Sequence, residues 1–274
     1  MNLQDINYHL QKILRSGATS RNLMVVATNI RRMHIEKKLV HYFNGLIQDG
    51  IFKGLKISLN THDSVLIPKL LGTYEIEIAN HIRSLTEQSK VFVDVGCADG
   101  YYTSGIAAST GIEKVVGVDI SCEALELATE SARNNELEHK CIFVNDIDLA
   151  LPHIENETFV MVDVDGAEKK VLHKLGTYIK SNQLRKIRIL IETDFNSDGS
   201  PNKQELLDEL NRLGFIIKHV IKCDPLCKSR FSPIASKLFP SYLDQMICAL
   251  ERGKSNQSWI IAVTDTSNVE HYRN

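Results

Sequence analysis

The segment VFVDVGCADG, at residues 91–100, decides the fold together with VVGVDIS, at residues 115–121. In each segment an apolar run of strand length ends in an aspartate, Asp94 in the first and Asp119 in the second. A turn rich in small residues follows the first run and predicts a direct passage from a strand into a helix. This order is typical of a nucleoside-containing cofactor that lies across the carboxyl ends of two adjacent parallel strands.

From residue 91 onward, apolar runs alternate with helical segments. We predict strands at 91–95, 115–119, 140–144, 159–163, 187–193, 214–221 and 258–264. We predict helices at 74–85, 101–109, 122–134, 167–180 and 203–213. This alternation indicates an α/β fold with a mainly parallel sheet and helices on both of its faces.

The two flanking regions depart from this alternation. Residues 1–70 are interpreted as an N-terminal helical extension or lid, because apolar residues recur there at spacings of three and four. Residues 71–274 form the main domain, and residues 223–257 are interpreted as an insertion before its last strand. The insertion contains three prolines and an amphipathic helix predicted at 242–252. Insertions of this kind often shape a substrate pocket.

Composition excludes several classes of protein. The chain has 274 residues, of which 43% are hydrophobic and 24% charged, as expected of one large domain with an appended helical segment. The net charge of −2 argues against nucleic acid or an anionic membrane as a partner. No apolar run approaches a membrane-spanning length, and the N-terminus lacks the apolar centre of a signal peptide.

Cysteine usage points to a reducing compartment. The six cysteines are scattered and most of them fall within or beside predicted elements, which favours a cytoplasmic protein with free thiols. Cys223 and Cys227 stand four residues apart, but no second pair has the spacing of metal ligands. Two unpaired thiols are therefore favoured over a zinc site.

The turn at 96–100 is the first candidate for contact with a cofactor. Glycine allows a tight turn and a close approach of the backbone to a ligand, and the following helix offers free N–H groups. The candidate cofactor-binding residues in this segment are Asp94, Gly96, Cys97, Ala98 and Gly100. A strand–helix turn of this kind also occurs without a ligand, so the segment alone does not decide the question.

Acids after the second and third strands strengthen the case for a cofactor. Asp119 lies 19 residues beyond Gly100, where a carboxylate can accept hydrogen bonds from both hydroxyls of a ribose. Its alternative role is a helix cap, but Ser121 can fill that role itself. Ile120 is included with Asp119 among the candidate contacts. Asp146 would lie beside an adenine, although a turn or cap fits this position equally well.

The segment FVMVDVDGAE, which ends the fourth strand, supplies the candidate catalytic groups. Acids at the mouth of a central strand are costly to bury without a role, and a carboxylate facing a cleft can accept a proton. Asp163 and Glu192, the latter at the end of the fifth strand, are the predicted catalytic residues. Asp165 and Glu168 are left open between a functional role and helix capping. His219 is a further candidate base, although a lone histidine on a strand is more often structural.

Upstream, Tyr74 and Glu75 are predicted either to cover this cleft as a lid or only to begin a helix. Several negative side chains around one cleft would favour a cationic cofactor, and a sulfonium is one such cation.

Taken in order, VDVGCADG, VVGVDIS, VNDID and VMVDVDGAE resemble the class I S-adenosylmethionine-dependent methyltransferases. DVDGAEKKVL, with LLGTYEIE upstream and ILIETDF downstream, more narrowly resembles the FkbM-like methyltransferases. The resemblance covers roughly residues 70–195, and the order and spacing of the motifs are more specific than any one motif.

The resemblance implies a Rossmann-like sheet of seven strands with the last strand antiparallel. It implies that S-adenosylmethionine lies over residues 96–100, with Asp94 and the turn near its methionine end. Asp119 would bind the ribose, Asp146 the adenine, and Asp163 would lie near the transferred methyl group. The chain departs from the family in one place, because Ala98 replaces the middle glycine of the usual turn.

The implied activity is methyl transfer from S-adenosylmethionine to a hydroxyl oxygen of a small molecule, sugar or glycan. The alternatives are methylation of a protein or nucleic acid, a dinucleotide-binding oxidoreductase, and a S-adenosylmethionine-binding subunit without catalytic activity. The expected partners are the small acceptor and, through the N-terminal helices, a second copy of the chain. No metal, nucleic acid or membrane is expected to participate.

Overall fold

The computed structural model describes residues 11, 19–59, 66–109, 111–196, 198–223, 227, 230–251 and 257–264. Its centre is a sheet of seven strands in the order β3-β2-β1-β4-β5-β7-β6. The strands are β1 (Val91–Val95), β2 (Lys114–Val118), β3 (Cys141–Val144), β4 (Thr158–Val162), β5 (Arg188–Thr193), β6 (Ile216–Lys222) and β7 (Ser258–Val263). Strands β1 to β5 run parallel, and β7 pairs antiparallel with both β5 and β6. The predicted fold class is confirmed.

Helices connect and cover the strands. They are α1 (Ser20–Phe43), α2 (Leu66–Leu71), α3 (Ala79–Glu87), α4 (Tyr101–Ala107), α5 (Cys122–Asn134), α6 (Ile147–Ala150), α7 (Glu168–Ser181), α8 (Lys203–Leu213), α9 (Pro233–Leu238) and α10 (Tyr242–Ala249). The predicted bounds agree closely for α5 and α8. The helix predicted at 74–85 begins only at Ala79, because residues 74–78 form turns in which Glu75 has a φ of +46°.

Alternate residues of each central strand enter two hydrophobic clusters, one on each face of the sheet. In β1, Phe92 belongs to the first cluster, whereas Val93 and Val95 belong to the second. The first cluster gathers side chains of α1 to α4 and α10, and the second gathers those of α6 to α8. The period of two explains why β1 and β4, covered on both sides, are apolar along most of their length.

The N-terminal segment packs into the first of these clusters. Ile35 and Leu39 of α1 are buried against it, and Arg31 forms a two-pronged ion pair with Asp244 of α10 at 2.6–2.7 Å. Residues 44–50, predicted as helical, instead form turns, since Asn44 and the following glycine take positive φ and end α1. Residues 1–10 and 12–18, the start of the predicted helical extension, lie outside the described residues. The dimer contact predicted for the N-terminal helices stays a prediction.

No helix in the described ranges is both long and apolar enough to cross a membrane. The cytoplasmic location and the division at residue 70 stay predictions.

Candidate active site

A cleft of about 940 Å³ opens at the carboxyl ends of the parallel strands. It gathers nine of the ten predicted site residues: Asp94, Gly96, Cys97, Ala98, Asp119, Ile120, Asp146, Asp163 and Glu192. The tenth, Gly100, faces α5, where a Cβ atom would stand 2.8 Å from the Cα of Ala128. Topology explains the assembly, because parallel strands deliver all their carboxyl ends to one edge of the sheet.

The turn after β1 is built from three residues with positive φ. Gly96 has a φ of +92°, and a Cβ atom there would lie 1.7 Å from the backbone oxygen of Asp163. Ala98 has a φ of +45°, a region that costs a non-glycine residue roughly 1–2 kcal/mol. Gly100, with a φ of +75°, is the N-cap of α4. The backbone is therefore folded tightly against the ends of β2 and β4, at the floor of the cleft.

Asp119 ties this turn to the second strand. Its Oδ2 accepts from the backbone N–H of Ala98 at 3.0 Å, and its Oδ1 accepts from that of Ser121 at 2.9 Å. Ser121 caps α5 itself, with Oγ 3.2 Å from the backbone nitrogen of Ala124, as predicted. Each carboxylate oxygen carries two lone pairs, so Asp119 keeps acceptor capacity for ribose hydroxyls in the cleft. Beside it, the side chain of Ile120 is 91% exposed on the rim.

Asp146 both lines the cleft and caps a helix. It is the N-cap of α6, and its Oδ1 accepts from the backbone N–H of Asp148 at 2.9 Å. The neighbouring Asn145 lines the cleft as well. The cap uses one oxygen of Asp146, and the rest of this half-exposed carboxylate faces the same opening as Ile120.

Asp94 is buried at the base of the cleft. Its Oδ2 accepts from Thr103 Oγ1 at 2.5 Å, which fixes the first turn of α4 against β1. Burial raises the pKa of Asp94 to about 7, partly opposed by the bond from Thr103 and reinforced by the charge of Asp163. The residue therefore anchors the turn, and its charge depends on pH near neutrality.

Asp163 and Glu192 meet at the ends of β4 and β5. Their carboxyl groups are hydrogen-bonded to each other. Burial raises the pKa of Asp163 to about 6, while the hydrogen bond from Glu192 opposes that rise. Burial and the charge of Asp163 raise the pKa of Glu192 well above its usual range. Burial and mutual repulsion disfavour ionising both groups, so the two neighbouring carboxyl groups are suited to share a proton.

A third carboxyl group, that of Glu75, lines the same end of the cleft. It accepts a short hydrogen bond from the hydroxyl group of Tyr102. Burial, followed by the charge of Asp163, raises the pKa of Glu75 well above its usual range. Tyr74 and Glu75 both line the cleft, and the helix predicted to begin with them starts only at Ala79. Their role as a lid stays a prediction.

Sequence reasoning missed an aromatic and charged wall of the cleft. Lys69 of α2 is 2% exposed and lies 2.6 Å from Asp99 Oδ1, with its ammonium about 5 Å from the rings of Tyr74 and Tyr101. Tyr101 and Tyr102, the first residues of α4, complete this wall. The sequence offers two indications of this wall. A lysine stands within the apolar segment LIPKLL, and two tyrosines directly follow the candidate cofactor-binding turn at 96–100.

The residues left open by the sequence take different places. Glu168 is 1% exposed and holds the loop before α7, accepting from Gly166 N–H and from Asn202 Nδ2 at 2.8 Å each. Asp165, with a φ of +38°, lines the cleft. His219 packs against His81, with ring centroids 5.0 Å apart, and among the described residues it is not part of the lining. Glu168 is therefore a structural support for the loop that carries Asp163.

Across the described ranges, no group of three or more histidine, cysteine, aspartate or glutamate side chains is arranged to hold a metal ion. Cys223 and Cys227 are not joined in a disulfide, and burial raises the pKa of Cys223.

A family model described as a methyltransferase domain matches residues 86–238, and the chain belongs to that family. The match covers more than half of the chain and includes the turn, Asp119 and both predicted catalytic carboxyl groups. S-adenosylmethionine is the cofactor that this fold and family specify. The site fits it, because the cleft has the volume, Asp119 offers acceptor oxygens and Ile120 offers an exposed apolar surface.

Two curated proteins are similar to parts of the chain. The tRNA (uracil(54)-C(5))-methyltransferase of Schizosaccharomyces pombe is 30% identical over 97 residues, covering 34% of this chain and 18% of that protein. The mitochondrial ubiquinone biosynthesis O-methyltransferase of Candida albicans is 31% identical over 106 residues, covering 34% of this chain and 32% of that protein. The chain thus matches at most about a third of the length of these relatives.

Among solved structures, fibrillarin of Aeropyrum pernix, in complex with S-adenosylmethionine, is similar at 14% identity with a TM-score of 0.44. That similarity covers 65% of this chain and 68% of fibrillarin.

Proposed function

We propose that this protein is a S-adenosylmethionine-dependent O-methyltransferase that methylates a hydroxyl group of a small molecule, sugar or glycan. The observation that carries the proposal is the hydrogen-bonded pair of Asp163 and Glu192, which stands at the carboxyl ends of β4 and β5 inside the cleft. A hydroxyl acceptor needs a group that takes its proton, and this pair offers one carboxylate already oriented by a partner.

The proposed cofactor contacts follow the order of the strands. Asp119 would accept hydrogen bonds from the ribose hydroxyls, and Ile120 and Asp146 would flank the adenine. The turn from Gly96 to Gly100, anchored by Asp94, would border the methionine end. In this arrangement the end of the cleft that holds Asp163, Glu192 and Glu75 is left for the acceptor.

When bound, S-adenosylmethionine supplies a methyl group that its sulfonium makes electrophilic, so the protein has little covalent chemistry to perform. The chain must hold the acceptor oxygen in line with the methyl group and exclude water. Asp163 would take the hydroxyl proton as the oxygen–methyl bond forms and the methyl–sulfur bond breaks, which leaves S-adenosylhomocysteine. The interaction with Glu192 would orient the Asp163 carboxylate. The tyrosines at 101 and 102 close the wall beside this point.

The side chains that line the acceptor end of the cleft favour a small neutral polyol as the methyl acceptor. Carboxyl groups and tyrosine hydroxyl groups line it, and these hydrogen-bond well to sugar hydroxyls. The ionised form of Asp163 would repel the phosphates of a nucleic acid, and the net charge of −2 supplies no compensating basic field. The FkbM-like pattern of LLGTYEIE, DVDGAEKKVL and ILIETDF supports the same class, whose members often methylate hydroxyls of sugars or secondary metabolites.

Calorimetric titration with S-adenosylhomocysteine, with NAD alongside, tests the cofactor first. We expect binding of S-adenosylhomocysteine in the micromolar range and none of NAD. Transfer of labelled methyl groups is then measured on a panel of sugars and phenols, with unmodified tRNA and a protein mixture as competing acceptors. Methylation of tRNA or protein alone would contradict the proposed acceptor class. Binding without transfer to any acceptor would indicate a non-catalytic subunit.

Glu192→Gln is the matched variant for this assay. It keeps the shape and a hydrogen bond to Asp163, but it can no longer share a proton with that carboxylate. We expect unchanged affinity for S-adenosylhomocysteine and a lowered rate of transfer.

A further inference from the structure

A buried arginine joins the insertion to the segment that borders the cleft. Arg230, in the insertion, donates from Nη2 to both carboxylate oxygens of Glu77 at 2.8 Å, and its Nη1 pairs with Glu251. The three side chains are 4%, 10% and 9% exposed, respectively. An ion triad with so little solvent is expensive to bury, and packing alone would be served as well by apolar side chains.

Glu251, one of the two acids paired with Arg230, also contacts the backbone of Glu75. Glu251 Oε1 accepts the backbone N–H of Glu75 at 3.1 Å. Glu75 has a φ of +46°, a backbone conformation that is uncommon for residues other than glycine and that a hydrogen bond to its N–H group helps to hold. With the backbone so fixed, the Glu75 side chain reaches the hydroxyl of Tyr102 and lines the cleft.

The electrostatics show that Glu75 and the predicted catalytic pair share one environment. The charge of Asp163 acts on Glu75, and the charge of Glu75 in turn acts on Glu192. Three carboxyl groups from β4, β5 and the segment before α3 thus converge on the acceptor end of the cleft. Asp163 and Glu192 are held by the ends of β4 and β5. Glu75 lies instead in a turn, and its backbone N–H group is held by Glu251.

We infer that Arg230 and Glu251 are positioning residues, which hold the Glu75 carboxyl group over the acceptor end of the cleft as a third group that contacts the acceptor. This inference rests on the proposed function, since it names a further residue of the same site. It assigns the insertion a role in catalysis that acts through one backbone N–H group, without any contact between Arg230 and the acceptor.

The test uses Glu251→Leu, which removes both the charge and the acceptor oxygen, and Glu251→Gln, which keeps an oxygen for the Glu75 N–H group. Asp244→Asn is the matched control. Asp244 also belongs to the insertion, is 5% exposed and pairs with an arginine, Arg31, but it does not contact Glu75. Each full-length variant is measured for hydrogen exchange at residues 72–78, for affinity toward S-adenosylhomocysteine, and for kcat and KM with an acceptor from the panel.

We expect Glu251→Leu to speed exchange of the Glu75 amide and to lower kcat/KM for the acceptor by about 10²-fold, the order that a misplacement of about 1 Å produces. Affinity for S-adenosylhomocysteine should stay close to that of the wild type. Glu251→Gln should recover part of both losses, and Asp244→Asn should leave both measurements unchanged.

A double substitution separates positioning from a general structural role. If Glu251 acts through Glu75, the variant with both Glu75→Ala and Glu251→Leu should be no slower than Glu75→Ala alone. Losses that multiply would overturn the inference, and so would Glu251→Leu kinetics equal to those of Asp244→Asn. Should Glu251→Leu fail to fold, Glu251→Gln and Glu75→Ala carry the same comparison.

Failure of the proposed function gives a different result. A wild-type protein that transfers no methyl group to any hydroxyl would overturn the proposed function, while hydrogen exchange would still decide whether Glu251 holds Glu75. A Glu75 amide that exchanges equally fast in the wild type and in Glu251→Leu would overturn the inference whatever the activity.

Discussion

Asp119 shows how one carboxylate can serve both the fold and a ligand. Its two oxygens accept the backbone N–H groups of Ala98 and Ser121, and this fixes the turn on which the cofactor is proposed to lie. Part of the cost of placing Ala98 at positive φ is offset by that bond. The residue is therefore expected to affect both affinity and local structure, and a prediction must separate the two effects.

Asp119→Ala should weaken binding of S-adenosylhomocysteine by about 10- to 100-fold, because charge-assisted hydrogen bonds to the ribose are worth roughly 1.5–3 kcal/mol. The measurement is calorimetric titration at constant pH and salt. Ser121→Ala is the control, since it removes the cap of α5 at a cost of about 1 kcal/mol without removing the ribose acceptor. Equal affinities in Asp119→Ala and the wild type would contradict the assignment.

Asp163 should give the reaction its dependence on pH. Burial raises its pKa to about 6, and a base must be ionised before it can accept a proton. The acceptor kcat/KM is therefore expected to rise with pH through about 6 and then to level off. Asp163→Asn should remove this rise and lower kcat by about 10²- to 10⁴-fold.

The accompanying measurement is the affinity of Asp163→Asn for S-adenosylhomocysteine across the same pH range. An affinity that changes little supports a role toward the acceptor. A fall in affinity as large as the fall in kcat would instead make Asp163 a ligand of the cofactor or a cap of the loop before α7.

At the scale of elements, the sequence predicts best the unit made of β1, the turn at 96–100 and α4. Apolar runs located β1 and its neighbours to within one or two residues, because a strand covered on both faces needs apolar side chains at most positions. The glycines and the acids at the strand ends then located the cleft. The antiparallel direction of β7 was implied by the family resemblance alone, and the order of the strands was seen only in the structure, since no local sequence pattern specifies either.

Contacts between distant segments could not be predicted in this way. Glu75 and Glu251 are 176 residues apart, and each has an ordinary local sequence. Lys69 and Asp99 are likewise joined only by the fold. The role of Glu168 could not be predicted from sequence either. An acid in the first turn of any helix is stabilised by the helix dipole, so its position alone does not indicate a role. Its contacts with Gly166 and Asn202 show that it supports the loop.

The turn after β1 yields a prediction about close packing between elements. Gly96→Ala should destabilise the protein by about 1–3 kcal/mol more than Gly199→Ala, because its Cβ atom would stand 1.7 Å from the Asp163 backbone oxygen. Gly199 is a matched control, since its φ of +82° imposes similar strain and nothing lies within 4 Å of its Cβ position. Urea unfolding measures both variants, and equal losses would contradict the packing argument.

At the scale of the whole molecule, the N-terminal segment and the sheet share one hydrophobic cluster. Leu39 of α1 is 0% exposed and belongs to the cluster that contains Phe92 of β1 and Trp259 of β7. A segment that buries its apolar face in this way should unfold together with the sheet. This expectation differs from that of a separate N-terminal domain, and the two can be distinguished by thermal unfolding.

Leu39→Ala should lower the free energy of unfolding by about 2–5 kcal/mol, the range found for removing a buried leucine side chain. The wild type and the variant should each unfold in one transition, and S-adenosylhomocysteine should shift that transition upward because it binds only the folded state. Met24→Ala is the control, since Met24 lies on the same helix with a side chain that is 70% exposed. If Leu39→Ala instead produced an early transition that the ligand did not move, α1 would belong to a separate unit, and its packing against the sheet would not be what stabilises the cleft.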